Sequence, residues 1–249
     1  MKTLPISFTL GQFSNVAPFS RDNLWNFLLD QHLDLIKVKD RKMALKNLEN
    51  IFSATFRLGN TVGFRAMSLR DLCKETGLSM GGLYGYIKNK YQIAAMIEDM
   101  ERYVIEQMQT WFDHIESPVD KAECLIRSTI YLGETFQPWA FFVFFESRTL
   151  SPEQRDFAKG SELRLHRFIA TLIEQTGKFN DEEAFLFAAH CLDFVEGWYV
   201  KRWKYLDAKI SADKFADSAV KLFRAHVGCD TTAKTIQGTP LCPPRPTNR

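Results

Sequence analysis

The 249-residue chain lacks a long apolar stretch, a cysteine framework and a dominant sign of charge. Its longest strictly apolar run, WAFFVFF at 139–145, is far shorter than the ~20 residues of a membrane-spanning helix, so no membrane association is expected. Residues 1–5 begin like a signal peptide, but no sustained apolar region or cleavage site follows. The cysteines, at 73, 124, 191, 229 and 242, are odd in number and show no CxxC spacing. They read as reduced thiols of a cytoplasmic protein, not as a disulfide frame or a zinc site. No sustained period-two alternation and no hairpin turn between β-branched runs is present, which leaves essentially no sheet. No internal repeat is visible. Neither a phosphate-binding glycine loop, a paired-carboxylate motif nor a Ser-His-Asp arrangement stands out, so the chain reads as a non-enzyme without cofactor or metal.

What is present is a globular composition, 45% hydrophobic and 25% charged, in a chain long enough for one large domain or two modest ones. The net charge of +2 hides an asymmetry. Residues 39–90 carry ten Lys and Arg against four Asp and Glu, whereas residues 91–227 carry sixteen against twenty-two. A basic segment followed by an acidic remainder suits a head that meets a polyanion and a body turned away from it.

Helical signals run along the whole chain. Residues 1–19, with Pro5, Gly11, Asn15 and Pro18, look irregular, and Ser20 can cap an amphipathic helix over 22–38. Ala44, Leu48, Ile51, Phe52, Thr55 and Phe56 recur at helical spacing and predict a helix over 39–58, ended by Gly59-Asn60. Ser68 can cap a short helix over 69–75, because its hydroxyl accepts a backbone N–H left free in the first turn. Gly77 supplies the left-handed residue that stops it. Ser79 then caps a second short helix to about residue 86, with Leu72, Leu78 and Leu83 placed for one small shared core. Two short helices joined by a tight Gly-containing turn make a helix-turn-helix, whose second helix enters the DNA major groove. Beyond it, Asn89 with Gln92 opens a long rod to about residue 116, followed by helices over 119–136, 152–176, 180–206 and from 211 to about 223.

The stretch SLRDLCKETGLSMGGLYGYIKNK, 68–90, resembles the DNA-binding signature of the TetR family of bacterial transcriptional regulators. The likeness rests on Ser68, the Gly77-Leu78-Ser79 turn, Gly81, the Leu83-Tyr84 pair, Tyr86 and Asn89-Lys90. It implies DNA contacts from Ser68, Arg70, Ser79, Met80, Gly81, Gly82, Tyr84, Tyr86 and Lys90. Tyr84 and Tyr86 would reach phosphates through their hydroxyls, and Lys90 stands at a helix N-terminus that favours an anion. Met80, Ile87 and Tyr91 depart from the commoner family pattern, and Met80 can touch a thymine methyl but cannot read guanine.

The resemblance further implies an all-α protein with a helix-turn-helix domain over 39–90 and a helical ligand-binding and dimerisation domain over 91–227. The N-terminal extension over 1–38 is not part of the usual family pattern, and 228–249, with four prolines and little apolar content, reads as a disordered tail. A ligand pocket is expected from Trp111, Trp139, Phe142, Phe145, Arg148, His190, Phe194 and Trp198, because family members hold an inducer in this region, although plain core packing is the simpler reading of any single aromatic residue. FFESRTLSPEQR and DFVEGWYVKRWKY are similar to segments of TetR members responsive to fatty acyl-CoA, and Arg148 suits an anionic head group. The helix over 180–206 and the last helix resemble the family's four-helix interface, which implies a homodimer on a palindromic operator with half-sites about 34 Å or a multiple apart. The implied function is a repressor released from double-stranded DNA by a small apolar or acyl-type inducer. A constitutive DNA-binding dimer remains open. So does a helical enzyme or metal protein using His190 with Asp193 and Glu146, against which a buried, satisfied histidine is the simpler reading.

Overall fold

The computed structural model describes residues 4–15, 20–146 and 152–228, and among them every regular element is a helix. In chain order these are α1 (Leu10–Ser14), α2 (Arg21–Gln31), α3 (Arg41–Val62), α4 (Leu69–Thr76), α5 (Met80–Tyr84), α6 (Tyr91–Trp111), α7 (Pro118–Thr135), α8 (Gln137–Glu146), α9 (Pro152–Glu174), α10 (Asp181–Val200), α11 (Arg202–Asp207) and α12 (Ala212–Val227).

Most helix starts follow from local chemistry. Ser20, Ser68, Ser79, Ser117, Asn180 and Ser211 each accept a first-turn N–H, and Ser68 with Asp71 and Asn180 with Glu183 form reciprocal capping boxes. Several ends differ from expectation. Gly59-Asn60 does not stop α3, which continues to Gly63 at φ 81°. Ser117-Pro118 opens α7 instead of closing α6, and α6 ends at Trp111, so the rod is 21 residues, about 31 Å at 1.5 Å per residue. The helix expected over 180–206 is two, α10 and α11, separated at Lys201. At the N-terminus, Thr9 and Gln12 form a capping box that starts α1 in a stretch expected to be irregular. The tail after residue 228 and the start signal at Ser151 lie outside the described residues.

The helices bury two hydrophobic cores. One gathers α2, α3, α4, α5, the first half of α6 and Phe142 of α8. The other gathers Leu4, Phe8 and Phe13, the second half of α6, and α7, α9, α10 and α12. Val104 packs against both, so α6 is the element the two cores share. The N-terminal segment is tied to the second core by polar bonds as well. Leu10 N–H donates to Asp213 Oδ1 (2.8 Å), and the Tyr131 hydroxyl donates to the same oxygen (2.6 Å).

Candidate nucleic-acid interface and apolar cavity

The head is built by α3, α4 and α5. Leu72 of α4 and Leu83 of α5 are fully buried against Leu48, Ile51 and Phe52 of α3, which fixes the crossing of the two short helices. Gly77 takes φ 72° between them, a left-handed conformation that a residue with a Cβ adopts only at a cost. This leaves Ser68, Arg70, Ser79, Gly81 and Tyr84 on the surface, with Met80 and Gly82 half-buried. Lys42, Lys46, Arg65, Lys74 and Lys88 are also exposed on this part of the chain.

Two expected phosphate contacts are corrected. Tyr86 is only 1% exposed and sits in the core, where its hydroxyl accepts from Asn47 Nδ2 (3.0 Å). Lys90 turns its ammonium inward and donates to the backbone carbonyls of Phe64 (2.9 Å), Arg65 (2.6 Å) and Met67 (2.8 Å), pinning the α3–α4 turn to the start of α6. Both residues support the head from beneath its surface.

A cavity of about 190 Å³ lies between α2, α6, α7, α8, α9 and α10. Its walls are Leu24 and Trp25 of α2, Ile97, Met100, Val104, Ile105 and Met108 of α6, Leu132 of α7 and Phe136 at its C-terminal end, Trp139 of α8 and Leu165 of α9. Glu101 of α6 and Tyr199 of α10 bring polar atoms to it. Glu101 Oε2 has under 1 Å² of accessible surface and no hydrogen-bond partner. Burial, then the nearby Glu162 and Glu98, raise the Glu101 pKa to about 7, and Arg164 only partly opposes them.

Of the eight residues expected around a pocket, the structure places only Trp139 on this wall. Phe142 packs on Phe56 and Phe64 in the head's core. Trp198 is buried among Tyr205 and Phe215, with Nε1 donating to Glu134 Oε2 (3.1 Å). Trp111 joins the core around α7, and Phe145 packs on Phe141 and Phe144. His190 is exposed instead of buried, and Phe194 lies on the surface of α10. Arg148 lies outside the described residues. No group of three His, Cys, Asp or Glu suited to a metal occurs among the described residues. Leu24, Trp25, Glu101 and Tyr199 were not anticipated. The available signal was Glu101 itself, an acid four residues from both Ile97 and Ile105 on the apolar stripe of α6.

Residues 51–97, from mid-α3 into α6, match the family model described as "Bacterial regulatory proteins, tetR family". Over these residues the chain matches the tetR family. The chain is similar to the HTH-type transcriptional regulator HbdR of Aromatoleum sp. (strain CIB), 18% identical over 174 residues that cover 68% of this chain and 76% of HbdR. Among solved structures it resembles AibR in complex with isovaleryl coenzyme A and operator DNA, at 22% identity and TM-score 0.60, over 71% of this chain and 97% of AibR. It also resembles a tetR-family regulatory protein from Rhodococcus RHA1, at 19% identity and TM-score 0.63, over 74% and 98% of the two chains. These likenesses carry the helical fold of a tetR-family regulator. No described helix is long and apolar enough to cross a membrane.

Proposed function

We propose that this tetR-family protein is a ligand-responsive repressor that binds a palindromic operator as a homodimer and leaves it when a small apolar or acyl-type inducer enters the cavity. The observation that carries the reading is the position of α6. Its N-terminus is clamped to the head through Lys90, and its middle forms one wall of the cavity. A molecule filling that cavity presses on the element that holds the head. For this to release DNA, the inducer must bind the DNA-incompetent arrangement more tightly than the competent one.

The cavity's size bears on the inducer. At about 190 Å³ it is below the roughly 300–1,000 Å³ of drug-sized sites, so it suits a short chain. AibR, bound to isovaleryl coenzyme A, supports an acyl-type inducer of that scale. For the dimer, the support is the outer face of α10 and α12, where Leu186 (50% exposed), Phe194 (46%) and Leu222 (57%) stand in the open. Such apolar surface is ordinarily covered by a partner. Binding itself is assigned to the exposed residues of α4 and α5, with Arg70, Ser79 and Tyr84 as the contacts and the protein acting without chemistry of its own.

The deciding experiment is a gel shift on DNA from upstream of the gene, titrated with salt and then with short-chain acyl-CoAs. Salt-sensitive binding that an acyl-CoA or another small apolar molecule reverses is the expected result. Binding that no small apolar molecule reverses would leave a constitutive DNA-binding dimer, and no binding to any promoter fragment tried would remove the regulator reading altogether.

A further inference from the structure

The cavity is apolar on nearly every wall, yet one carboxylate oxygen, Glu101 Oε2, is buried at it without a hydrogen-bond partner. Native proteins satisfy the great majority of such atoms, and an unsatisfied one calls for a missing ligand, water or ion. The neighbourhood sharpens what would satisfy it. Glu98 lies one turn earlier on α6, itself buried with an unpartnered oxygen, and Glu162 and Glu196 add negative charge around Glu101 and Tyr199. Arg164 is a cation that acts on Glu101 against these acids. No Lys, Arg or His lines the cavity among the described residues. A carboxylate in a low-dielectric site attracts a cation strongly and repels an anion just as strongly. An apolar chamber with one acid at its edge therefore selects charge as well as shape.

We propose that the inducer is a short apolar amine, whose alkyl part fills the cavity against Trp25, Met108 and Trp139 and whose ammonium donates to Glu101 Oε2. This rests on the reading that the cavity is the inducer site, and it takes the small apolar branch of that reading over the acyl-type one by naming the head group that site takes. The ammonium supplies the donor that Oε2 lacks and adds positive charge beside acids that Arg164 offsets only in part. A carboxylate head in the same place would add a further acid to Glu98, Glu101, Glu162 and Glu196, with no donor for Oε2.

The test uses the full chain and three eight-carbon probes matched in length, octylamine, octanol and octanoate, titrated by calorimetry at neutral pH. Octylamine is expected to bind more tightly than octanoate by about tenfold or more, the equivalent of one further favourable charge contact. Glu101→Gln is expected to erase that preference while octanol binds as before. Equal affinity for the amine and the carboxylate, or a preference that survives Glu101→Gln, overturns the amine proposal and leaves an apolar inducer cavity standing. Failure of all three probes to bind overturns both. The comparison in the native chain decides the question even where Glu101→Gln does not fold.

Discussion

At the scale of single residues, the two tyrosines of the recognition segment separate binding from support. Tyr84 is exposed on α5, whereas Tyr86 is buried with its hydroxyl accepting from Asn47 Nδ2. Tyr84→Phe is expected to weaken operator binding with little change in stability, because it removes a donor to a phosphate. Tyr86→Phe is expected to leave DNA affinity unchanged and to cost about 1 kcal/mol of stability, since it strands a partly buried amide. Gel shift and thermal melting on both variants check the pair, and the reverse pattern would mean that Tyr86 faces DNA. The acids of α6 make a second residue-scale prediction. Burial raises Glu98 and Glu101 from the ordinary 4.5 to about 7. Between these values the folded state holds more protons than the unfolded chain, so stability falls as pH rises from about 4.5 to 7 and stays lower above. Glu101→Gln removes an ionising group from that site and is expected to raise the melting temperature at pH 8 but not at pH 5. A gain of about 1 kcal/mol corresponds to ~2–4 °C for a chain of this size. Equal shifts at the two pH values would show that Glu101 is not the group concerned.

At the scale of elements, helix starts were more legible in the sequence than helix ends. Ser68, Ser79, Ser117, Asn180 and Ser211 cap first turns through atoms three residues away, so the signal is local and survives folding. The break at Lys201 has no such mark, since no Gly or Pro occurs between residues 198 and 210. It coincides with tertiary contacts, Arg202 pairing with Glu134 of α7 and Tyr205 packing on Trp198 and Phe215. The cavity was misplaced for a related reason. Aromatic residues advertise burial but not which core they enter, and Phe142 and Trp198 went into solid packing. The helix-turn-helix was readable because its caps, turn and apolar positions lie within 23 residues, 68–90. The role of α2 was not, because it depends on long-range contacts. Trp25 packs edge-on against Phe52 of α3 and Trp139 of α8 while also walling the cavity. The segment after α2 then reaches the recognition segment, where Lys37 N–H donates to Gly85 O (2.9 Å). Trp25→Ala is expected to cost about 3–5 kcal/mol, the range for deleting a buried large aromatic, measured by chemical denaturation. A cost below about 1 kcal/mol would mean that α2 is a loose appendage.

At the scale of the whole molecule, the two cores and the single shared helix set how a ligand in one place affects DNA in another. Packed cores resist gradual deformation, so filling the cavity wall of α6 favours a discrete shift of the head over a local bulge. One head moving alone changes little for a single half-site. Two heads tied together lose their match to successive grooves when each shifts, so the proposed switch requires the dimer. The exposed Phe194 and Leu222 are where that requirement can be tested without touching the head or the cavity. In a two-fold interface each side chain meets the same patch on the second copy, so Phe194→Arg with Leu222→Arg would bury unpaired positive charges on both sides. The doubly substituted chain is expected to keep its helical circular dichroism, because both positions are solvent-facing in the single chain. It is expected to run as a monomer by light scattering and to lose about 10²–10⁴ in operator affinity, the gain that linking two binding modules provides. A variant that stays dimeric would place the interface elsewhere on the surface, and a monomer that keeps full operator affinity would break the link between pairing and recognition on which the switch depends.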